Sequence, residues 1–265
     1  MKYLLLFIIG SLLIASCTVN KLTGKSQLSL LSDDEILHSS DSMYRDYLMK
    51  HKVISTRGDI DVQMVQRVGK KIVQAVNKYY SDRNMQSLLN NYRWEYHLVQ
   101  DSQVNAWCMP GGKIVVYTGI LPMVKTEAEL AVIMGHEVSH ALLNHGKQRM
   151  SQSILLNLGG LALSTAVAEK SSRTKSNIEL AYGIGTQVGL ALPFSRKHEN
   201  EADQFGLIWT AMAGYNPNEA ITLWQRMSDS NSKEVPEFFR THPTEVNRIK
   251  ALNAFIPQAL KYYKQ

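Results

Sequence analysis

The sequence has few cysteines, no strong excess of charge of one sign and no long apolar run. Its 265 residues include 2 cysteines, 29 basic side chains and 23 acidic ones, which gives a formal net charge of +6. So few cysteines exclude a small scaffold held together by disulfides. The basic residues are scattered along the chain, which argues against a nucleic-acid-binding protein. A hydrophobic content of 45% is typical of a chain that buries a core, so disorder is not the default state.

The apolar stretches are shorter than the roughly 20 residues that cross a membrane as a helix. One stretch covers residues 154–168, and Asn157, Gly159 and Gly160 interrupt it, so we expect a buried helix there. The other stretch lies at the amino terminus, where one basic residue precedes a short apolar run. This layout is typical of a secretory signal peptide, which we place at residues 1–16.

The segment from Ile14 to Cys17 resembles the lipobox of bacterial lipoproteins. The resemblance implies that cleavage leaves Cys17 as a lipidated first residue, followed by a tether over residues 17–31. The lipid would hold the protein in the bacterial cell envelope, and we expect it at the outer membrane, facing the periplasm. An ordinary signal peptide with a chance cysteine is the alternative. Lipidation leaves Cys108 without a disulfide partner, so we predict that it is a buried free thiol.

Periodicity along residues 32–265 predicts one mostly helical α+β domain with a small β-sheet. Ser32 and Thr126 each precede a glutamate by three residues, the spacing of a capping box at the start of a helix. Helices are predicted at 32–50, 59–80, 126–149, 178–192, 199–213 and 217–227 and after residue 243, and strands near 94–98 and 113–117. The polar run at 169–177 is predicted to be a disordered loop that influences access to the active site.

The decisive motif is HEVSH at residues 136–140, inside the third predicted helix. Residues four apart on a helix differ by about 40° around its axis, so His136 and His140 can bind one zinc ion. Glu137 lies about 100° away, where it can take a proton from a zinc-bound water and so generate the nucleophile for peptide hydrolysis. Surface histidines on an amphipathic helix are the simpler alternative. The apolar flanks argue against it, because burying these groups without a metal or partners is costly.

A catalytic zinc site usually has three protein ligands and one open position, so a third ligand is expected elsewhere. His145 fails on geometry, since it lies about 180° from His136 around the helix, and we predict a structural or surface role for it. Glu199 is the better candidate. Asp203 shares its helical face and can accept a hydrogen bond from a ligand histidine, most simply His136. A shifted register would make Glu201 the ligand instead.

Several further blocks accompany these motifs: Asn105-Ala106, Pro110 to Ile114, Tyr117-Thr118-Gly119, Ser195-Arg196, Gly214-Tyr215, Thr241-His242-Pro243 and Arg248-Ile249. Together with the HEVSH helix they resemble the gluzincin metallopeptidases, the family of the CaaX-prenyl protease and the HtpX heat-shock protease. The resemblance extends from about Ile60 to Leu252 and is greatest to the secreted, BepA-like branch. One departure is that the chain ends at Gln265 without the helical-repeat extension of some secreted relatives.

This resemblance implies a zincin-like fold with one Zn²⁺ per chain, whose ligands are His136, His140 and Glu199 and whose base is Glu137. It also implies that the segment Asn105, Ala106 and Trp107 belongs to an edge strand. An extended substrate would pair with that strand through backbone hydrogen bonds, which read little sequence.

Two residues near the carboxyl end are further candidates for the site. His242 precedes a proline, and we expect it either to donate to the oxyanion of the tetrahedral intermediate or to occupy the open zinc position in a resting form. A histidine that merely precedes a helix is the alternative. Arg248 is predicted to pair with an acidic group near the site, which the sequence does not specify.

The function predicted from these residues is a zinc metalloendopeptidase that cuts unfolded or misassembled envelope proteins. The alternative is a chaperone-like lipoprotein that binds extended polypeptide and cleaves little. A peptidoglycan amidase also uses zinc but normally lacks a contiguous HEVSH-type helix. The expected partners are unfolded polypeptide and, through the lipid, a membrane. No nucleic acid is expected, and the sequence does not specify the oligomeric state.

Overall fold

The structure is a computed structural model that describes residues 17–56, 58–166, 172, 192–228, 237–238, 242 and 247–264. Most of these residues are helical, and two small β-sheets accompany the helices, which confirms the predicted α+β class. The chain divides into two compact units, one of Met1–Ile36 with Leu143–Phe194 and one of Leu37–Leu142 with Ser195–Gln265.

The α-helices and β-strands are as follows: β1 Cys17–Val19, β2 Ser26–Leu28, α1 Asp33–Lys50, β3 Val53–Ile54, α2 Ile60–Ser81, β4 Glu95–Val99, β5 Ala106–Met109, β6 Lys113–Tyr117, α3 Glu127–Leu142, α4 His145–Ala166, α5 Leu192–Met212, α6 Glu219–Ser228 and α7 Arg248–Ala259.

The smaller unit contains the segment 17–31, which was expected to be a tether. Within this segment β1 and β2 form an antiparallel hairpin. The Gln27 side chain donates to the carbonyl of Leu143 at 2.9 Å, and Ser151 accepts from the backbone N–H of Leu30 at 3.0 Å. These contacts connect the hairpin region to α4 and to the residue pair before it, so the first described residues have defined structure.

The larger unit contains a four-stranded sheet in the order β3-β4-β6-β5. Strands β4 and β6 are parallel, and the β3–β4 and β5–β6 pairs are antiparallel. All five residues of β6 are buried, as expected of a central strand rich in β-branched residues. Strand β5 pairs with β6 alone among the described strands, so it lies at an edge, as predicted for residues 105–107.

Helix α3 is the most buried helix of the larger unit. Every residue from Glu129 to Leu142 is buried, and α3 packs against both α2 and β5. The predicted continuation of this helix through Arg149 is wrong. The helix ends at Leu142, because Asn144 adopts the left-handed backbone conformation with φ 58°, which asparagine tolerates and which ends helices.

Two sequence-based expectations fall on residues that are largely not described. The predicted loop at 169–177 lies outside the described residues except for Ser172, and so does the predicted helix at 178–192 except for its last residue. Within the described part of the chain, no helix has the combination of length and hydropathy that a membrane span needs.

Candidate metal centre

Helix α3 presents both histidines of the HEVSH motif on one face. The Nε2 atoms of His136 and His140 lie 3.0 Å apart, and their rings meet edge to face with centroids 4.7 Å apart. His136 is 1% exposed and His140 is 6% exposed. The helical spacing therefore brings two ring nitrogens together inside the protein, as the sequence predicted.

Helix α5 brings Glu199 to the same point. Its Oε2 atom is 3.2 Å from Nε2 of His136, and its Oε1 atom is 3.5 Å from Nε2 of His140. Zinc bonds of about 2.0–2.2 Å in a tetrahedron place neighbouring ligand atoms about 3.3–3.6 Å apart. The three ligand atoms are therefore spaced as three corners of a tetrahedral zinc site would be. Glu201 is also buried, but the group of described ligand atoms that could hold a metal includes Glu199 and not Glu201.

His242 completes this group of ligand atoms. Its Nδ1 atom is 3.3 Å from Nε2 of His136 and 3.1 Å from Oε2 of Glu199. Its other ring nitrogen, Nε2, is 3.3 Å from Oε1 of Glu137. Nδ1 therefore lies at the distance of a fourth corner, and Nε2 faces the expected base. Of the roles considered from sequence, this geometry matches occupation of the open zinc position in a resting form.

A buried chain of charged groups contacts Nδ1 of His136, the ring nitrogen on the side away from the candidate ligand atoms. The Nδ1 atom of His136 is 2.9 Å from Oδ1 of Asp203. Arg248 holds the same carboxylate through two bonds, Nε to Oδ2 at 2.8 Å and Nη2 to Oδ1 at 2.6 Å. The guanidinium carbon lies 3.8 Å from the ring centre of Trp224. Asp203 is the acidic partner that the sequence could not specify for Arg248, and nothing in the sequence indicated Trp224.

The pKa values in this group are determined by burial and by the charged side chains around each residue. Burial by itself lowers the pKa of His136, but the neighbouring carboxylates of Asp203 and Glu199 outweigh burial and raise that pKa to about 9. Burial lowers the pKa of His140 well below its usual range, so its ring is neutral and one of its two nitrogens has a free lone pair. Burial raises the pKa of Glu199, and its bonds to the three imidazoles outweigh this and lower it. An anionic carboxylate beside a neutral imidazole is a donor set suited to Zn²⁺.

The predicted substrate strand lies beside this centre. The side chain of Asn105 is buried and accepts the N–H of Ala106 at 2.9 Å. Trp107 packs on the opposite face of the sheet, where its ring meets Tyr47 edge to face at 4.9 Å. Cys108 forms no disulfide and is half-buried. Burial raises the pKa of its thiol, and the charge of Glu137 raises it further.

His145 is not part of the group, as predicted, but the angle on which that prediction rested does not apply, because His145 does not lie on the HEVSH helix. It is fully buried, with 0% exposure, so of the two roles considered for it the structural one applies. It begins helix α4, after the break at Asn144.

Two histidines and a glutamate converging on one point, with a second glutamate beside them, define the site of a mononuclear zinc peptidase. Residues 64–256 match the model of Peptidase family M48, and the chain belongs to that family. This membership confirms the predicted enzyme class, a zinc metalloendopeptidase, and the predicted Zn²⁺ cofactor.

The chain is similar to several proteases from eukaryotes and bacteria. It is 32% identical over 209 residues to mitochondrial metalloendopeptidase OMA1 of Saccharomyces cerevisiae, covering 76% of this chain and 57% of that protein. It is 29% identical over 251 residues to the mitochondrial metalloendopeptidase OMA1 of Homo sapiens, covering 92% of this chain and 46% of that protein. A putative β-barrel assembly-enhancing protease of Vibrio cholerae is 27% identical over 162 residues, which cover 58% of this chain and 33% of that protein.

The similarity to mitochondrial proteases corrects one prediction. A location in the bacterial cell envelope is wrong by this comparison, because the relatives of higher identity are named as mitochondrial metalloendopeptidases. The predicted location rested on the lipobox resemblance, which covers only a few residues at the amino terminus. Membership of the BepA-like lipoprotein branch stays a prediction. The chain spans about half the length of the OMA1 proteins that it matches.

Proposed function

We propose that this chain hydrolyses peptide bonds within unfolded or misassembled polypeptides. The observation that carries the proposal is the convergence of His136, His140 and Glu199 on one point, with the carboxylate of Glu137 facing it. All four side chains are buried, with exposures of 1% to 6%, and they come from two helices that meet inside the larger unit. Buried ionisable groups in this arrangement are costly unless a cation and a substrate use them.

The bound Zn²⁺ supplies a Lewis acid that polarises the scissile carbonyl and lowers the pKa of water. In the proposal, Glu137 accepts a proton from the attacking water and later delivers it to the leaving amine. Asp203 accepts a hydrogen bond from Nδ1 of His136 and so keeps Nε2 of that ring directed at the metal. Arg248 neutralises and orients Asp203 through its two bonds.

His242 has two roles in the proposal. In the resting form its Nδ1 atom occupies the fourth corner beside His136 and Glu199. When the ring withdraws, that corner becomes available to water and substrate. If the withdrawn ring stays beside the site, the same imidazole would donate to the developing oxyanion.

The edge strand β5 supports the proposal that the substrate is extended polypeptide. Its free edge, within the described part of the chain, offers backbone N–H and C=O groups to a further strand. A folded substrate could not supply a strand without opening first. Backbone pairing depends little on side chains, so we expect broad sequence specificity and a preference for unfolded chains.

The test compares the wild-type protein with Glu137→Gln, both loaded with zinc, on a reduced and alkylated globular protein as substrate. We expect the variant to retain one zinc per chain and to cleave about 10²–10⁴-fold more slowly, the range for loss of a general base. Glu95→Gln, which changes a carboxylate that pairs with Lys113, should cleave like the wild type. Equal cleavage by Glu137→Gln rejects the mechanism, and substrate binding without cleavage by the wild type favours the chaperone-like alternative.

We also propose that a lipid on Cys17 attaches the chain to a membrane. Cys17 is exposed at the start of β1, which leaves its thiol accessible for acylation. Intact-mass measurement of the protein extracted from its native membranes should show a truncated amino terminus with an added acyl mass. An unmodified Cys17 in that material would reject the lipid anchor without affecting the proposed protease activity.

A further inference from the structure

Two glycines face each other where the helices of the metal centre cross. A methyl group added to Gly206 of α5 would lie 2.8 Å from the backbone nitrogen of His136 and 3.0 Å from its Cα. A methyl group added to Gly135 of α3 would lie 2.8 Å from the carbonyl oxygen of Gly206. Non-bonded carbon contacts are normally about 3.5–4.0 Å. The obstructing atoms belong to the backbone, so any larger side chain at either position must push the helices apart.

The crossing lies next to every ligand that the two helices supply. Gly135 directly precedes His136, and Gly206 follows Asp203 by one helical turn and Glu199 by two turns. Residues one and two turns apart share a helix face. A displacement at Gly206 would therefore move Asp203 and Glu199 away from His136 together. Functional side chains need to be held within about 0.5 Å of their working geometry, and relief of the clash at Gly206 requires a displacement of similar size.

A second, independent contact fixes how the two helices are rotated. The hydroxyl of Ser139 donates to the carbonyl of Gly135 at 2.8 Å, and the indole Nε1 of Trp209 donates to that same hydroxyl at 3.0 Å. On the other helix, the hydroxyl of Thr210 donates to the carbonyl of Gly206 at 2.8 Å. Ser139, Trp209 and Thr210 are all fully buried. The carbonyls at the crossing thus have hydroxyl partners, and one hydrogen bond joins the helices.

We infer that the Gly135–Gly206 crossing, held in rotation by the bond between Trp209 and Ser139, sets the distance from Glu199 to the two zinc-binding histidines. Gly206 and Trp209 are positioning residues, since they act on the zinc site through the helix that carries Glu199. The inference rests on the proposed zinc ligation by Glu199. It also assigns a role to Ser139, a position inside the HEVSH motif whose hydroxyl bonds the carbonyl of Gly135 and the indole of Trp209.

The test uses Gly206→Ala with Gly146→Ala as its matched control, because a methyl group at Gly146 meets nothing within 4 Å. Zinc affinity is measured by competition with a chromophoric chelator, and the coordination geometry by the visible absorption of the cobalt(II)-substituted protein. We expect Gly206→Ala to bind zinc about 10–100-fold more weakly, the range for loss of a supporting contact, and to change the cobalt spectrum. Gly146→Ala should match the wild type in both measurements.

Circular dichroism decides which variant carries the test. If Gly206→Ala has the wild-type spectrum, then unchanged zinc affinity and an unchanged cobalt spectrum overturn the inference. If Gly206→Ala does not fold, Trp209→Phe replaces it, because phenylalanine keeps an aromatic ring and removes the donor to Ser139. We expect that variant to bind zinc more weakly with a shifted cobalt spectrum, and wild-type values overturn the inference.

Glu199→Gln serves as the reference that separates this inference from the proposed function. If Glu199→Gln weakens zinc binding and the positioning variant does not, the crossing has no positioning role and the proposed ligand set stands. If Glu199→Gln binds zinc like the wild type, the proposed ligand set fails, and the inference fails with it.

Discussion

Two polar clusters in the larger unit, one partly exposed and the other buried, differ in how their members are paired. In the first, which we call the Lys113 cluster, Tyr44 and His97 form a hydrogen bond of 2.6 Å, and Lys113 pairs with Glu95. Each group there has its own partner. In the metal centre, the single carboxylate of Glu199 lies within 3.5 Å of three imidazole nitrogens.

Convergence of several ligand atoms on one point distinguishes a binding site from a structural network of paired groups. The Nε2 atoms of His136 and His140 face each other at 3.0 Å, and two such nitrogens can share at most one proton. Nε2 of His136 also lies 3.2 Å from Oε2 of Glu199 and 3.3 Å from Nδ1 of His242, and the single N–H that it can carry cannot serve all three contacts. A cation satisfies these contacts, because every lone pair then points at the same ion. The Lys113 cluster needs no ion, since its hydrogen bonds are already pairwise.

The largest effect is expected from removing a ligand of the metal centre. Glu199→Gln replaces an anionic ligand with a neutral amide, and His140→Ala removes a ligand altogether. Loss of a residue that only supports a ligand lowers zinc affinity by about 10–100-fold. Loss of a ligand itself should lower it further. Metal analysis after dialysis against a weak chelator should show far less than one zinc per chain. Full zinc content in either variant would mean that the converging side chains of the metal centre do not bind zinc in the way that separates it from the Lys113 cluster.

An intermediate effect is expected at Asp203, which contacts a ligand histidine but not the ion. Asp203→Asn keeps the shape of the side chain but removes the charge that orients His136 and pairs with Arg248. We expect zinc affinity to fall about 10–100-fold. The matched change in the Lys113 cluster is Glu95→Gln, which should leave zinc affinity unchanged. If the two variants have the same zinc affinity, the support attributed to Asp203 is absent.

The smallest effect is expected in the Lys113 cluster itself. Tyr44→Phe removes the hydroxyl that bonds Nδ1 of the half-buried His97, which should lower the free energy of unfolding by about 0.5–1.5 kcal/mol. The double variant Tyr44→Phe with His97→Phe should recover part of that loss, because neither polar partner then remains. Urea unfolding of the zinc-loaded proteins measures both values. Zinc content should stay at one per chain in all of these variants. A change in zinc content would mean that the Lys113 cluster influences the metal centre.

The sequence was a good guide where one local pattern determines the structure. Alternation and β-branched residues correctly located the strand Lys113–Tyr117, and helical spacing correctly placed His136 and His140 on one face. The choice of Glu199 over Glu201 also followed from helical angles. The end of the HEVSH helix was mispredicted, because the left-handed conformation of Asn144 is a single-residue feature inside an otherwise helical pattern.

Contacts between distant segments could not be read from the sequence. The partner of Arg248 was open until the fold placed Asp203 beside it, and the contact of the Trp224 ring with Arg248 was not predicted. Gly206 gave no signal either, because a glycine within a helix indicates a close approach only when the opposing helix is known. The pairing of Tyr44 with His97 was missed for the same reason, since Tyr44 lies on helix α1 and His97 lies on strand β4.

The location of the ion is the most direct test of the central claim. Anomalous diffraction at the zinc absorption edge, from crystals of the zinc-loaded protein, would locate every bound zinc ion independently of activity. We predict one peak per chain, about 2.0–2.2 Å from Nε2 of His136, Nε2 of His140 and the carboxylate of Glu199. A fully occupied peak elsewhere, or a zinc ion bound by both histidines with Glu199 out of reach, would contradict it.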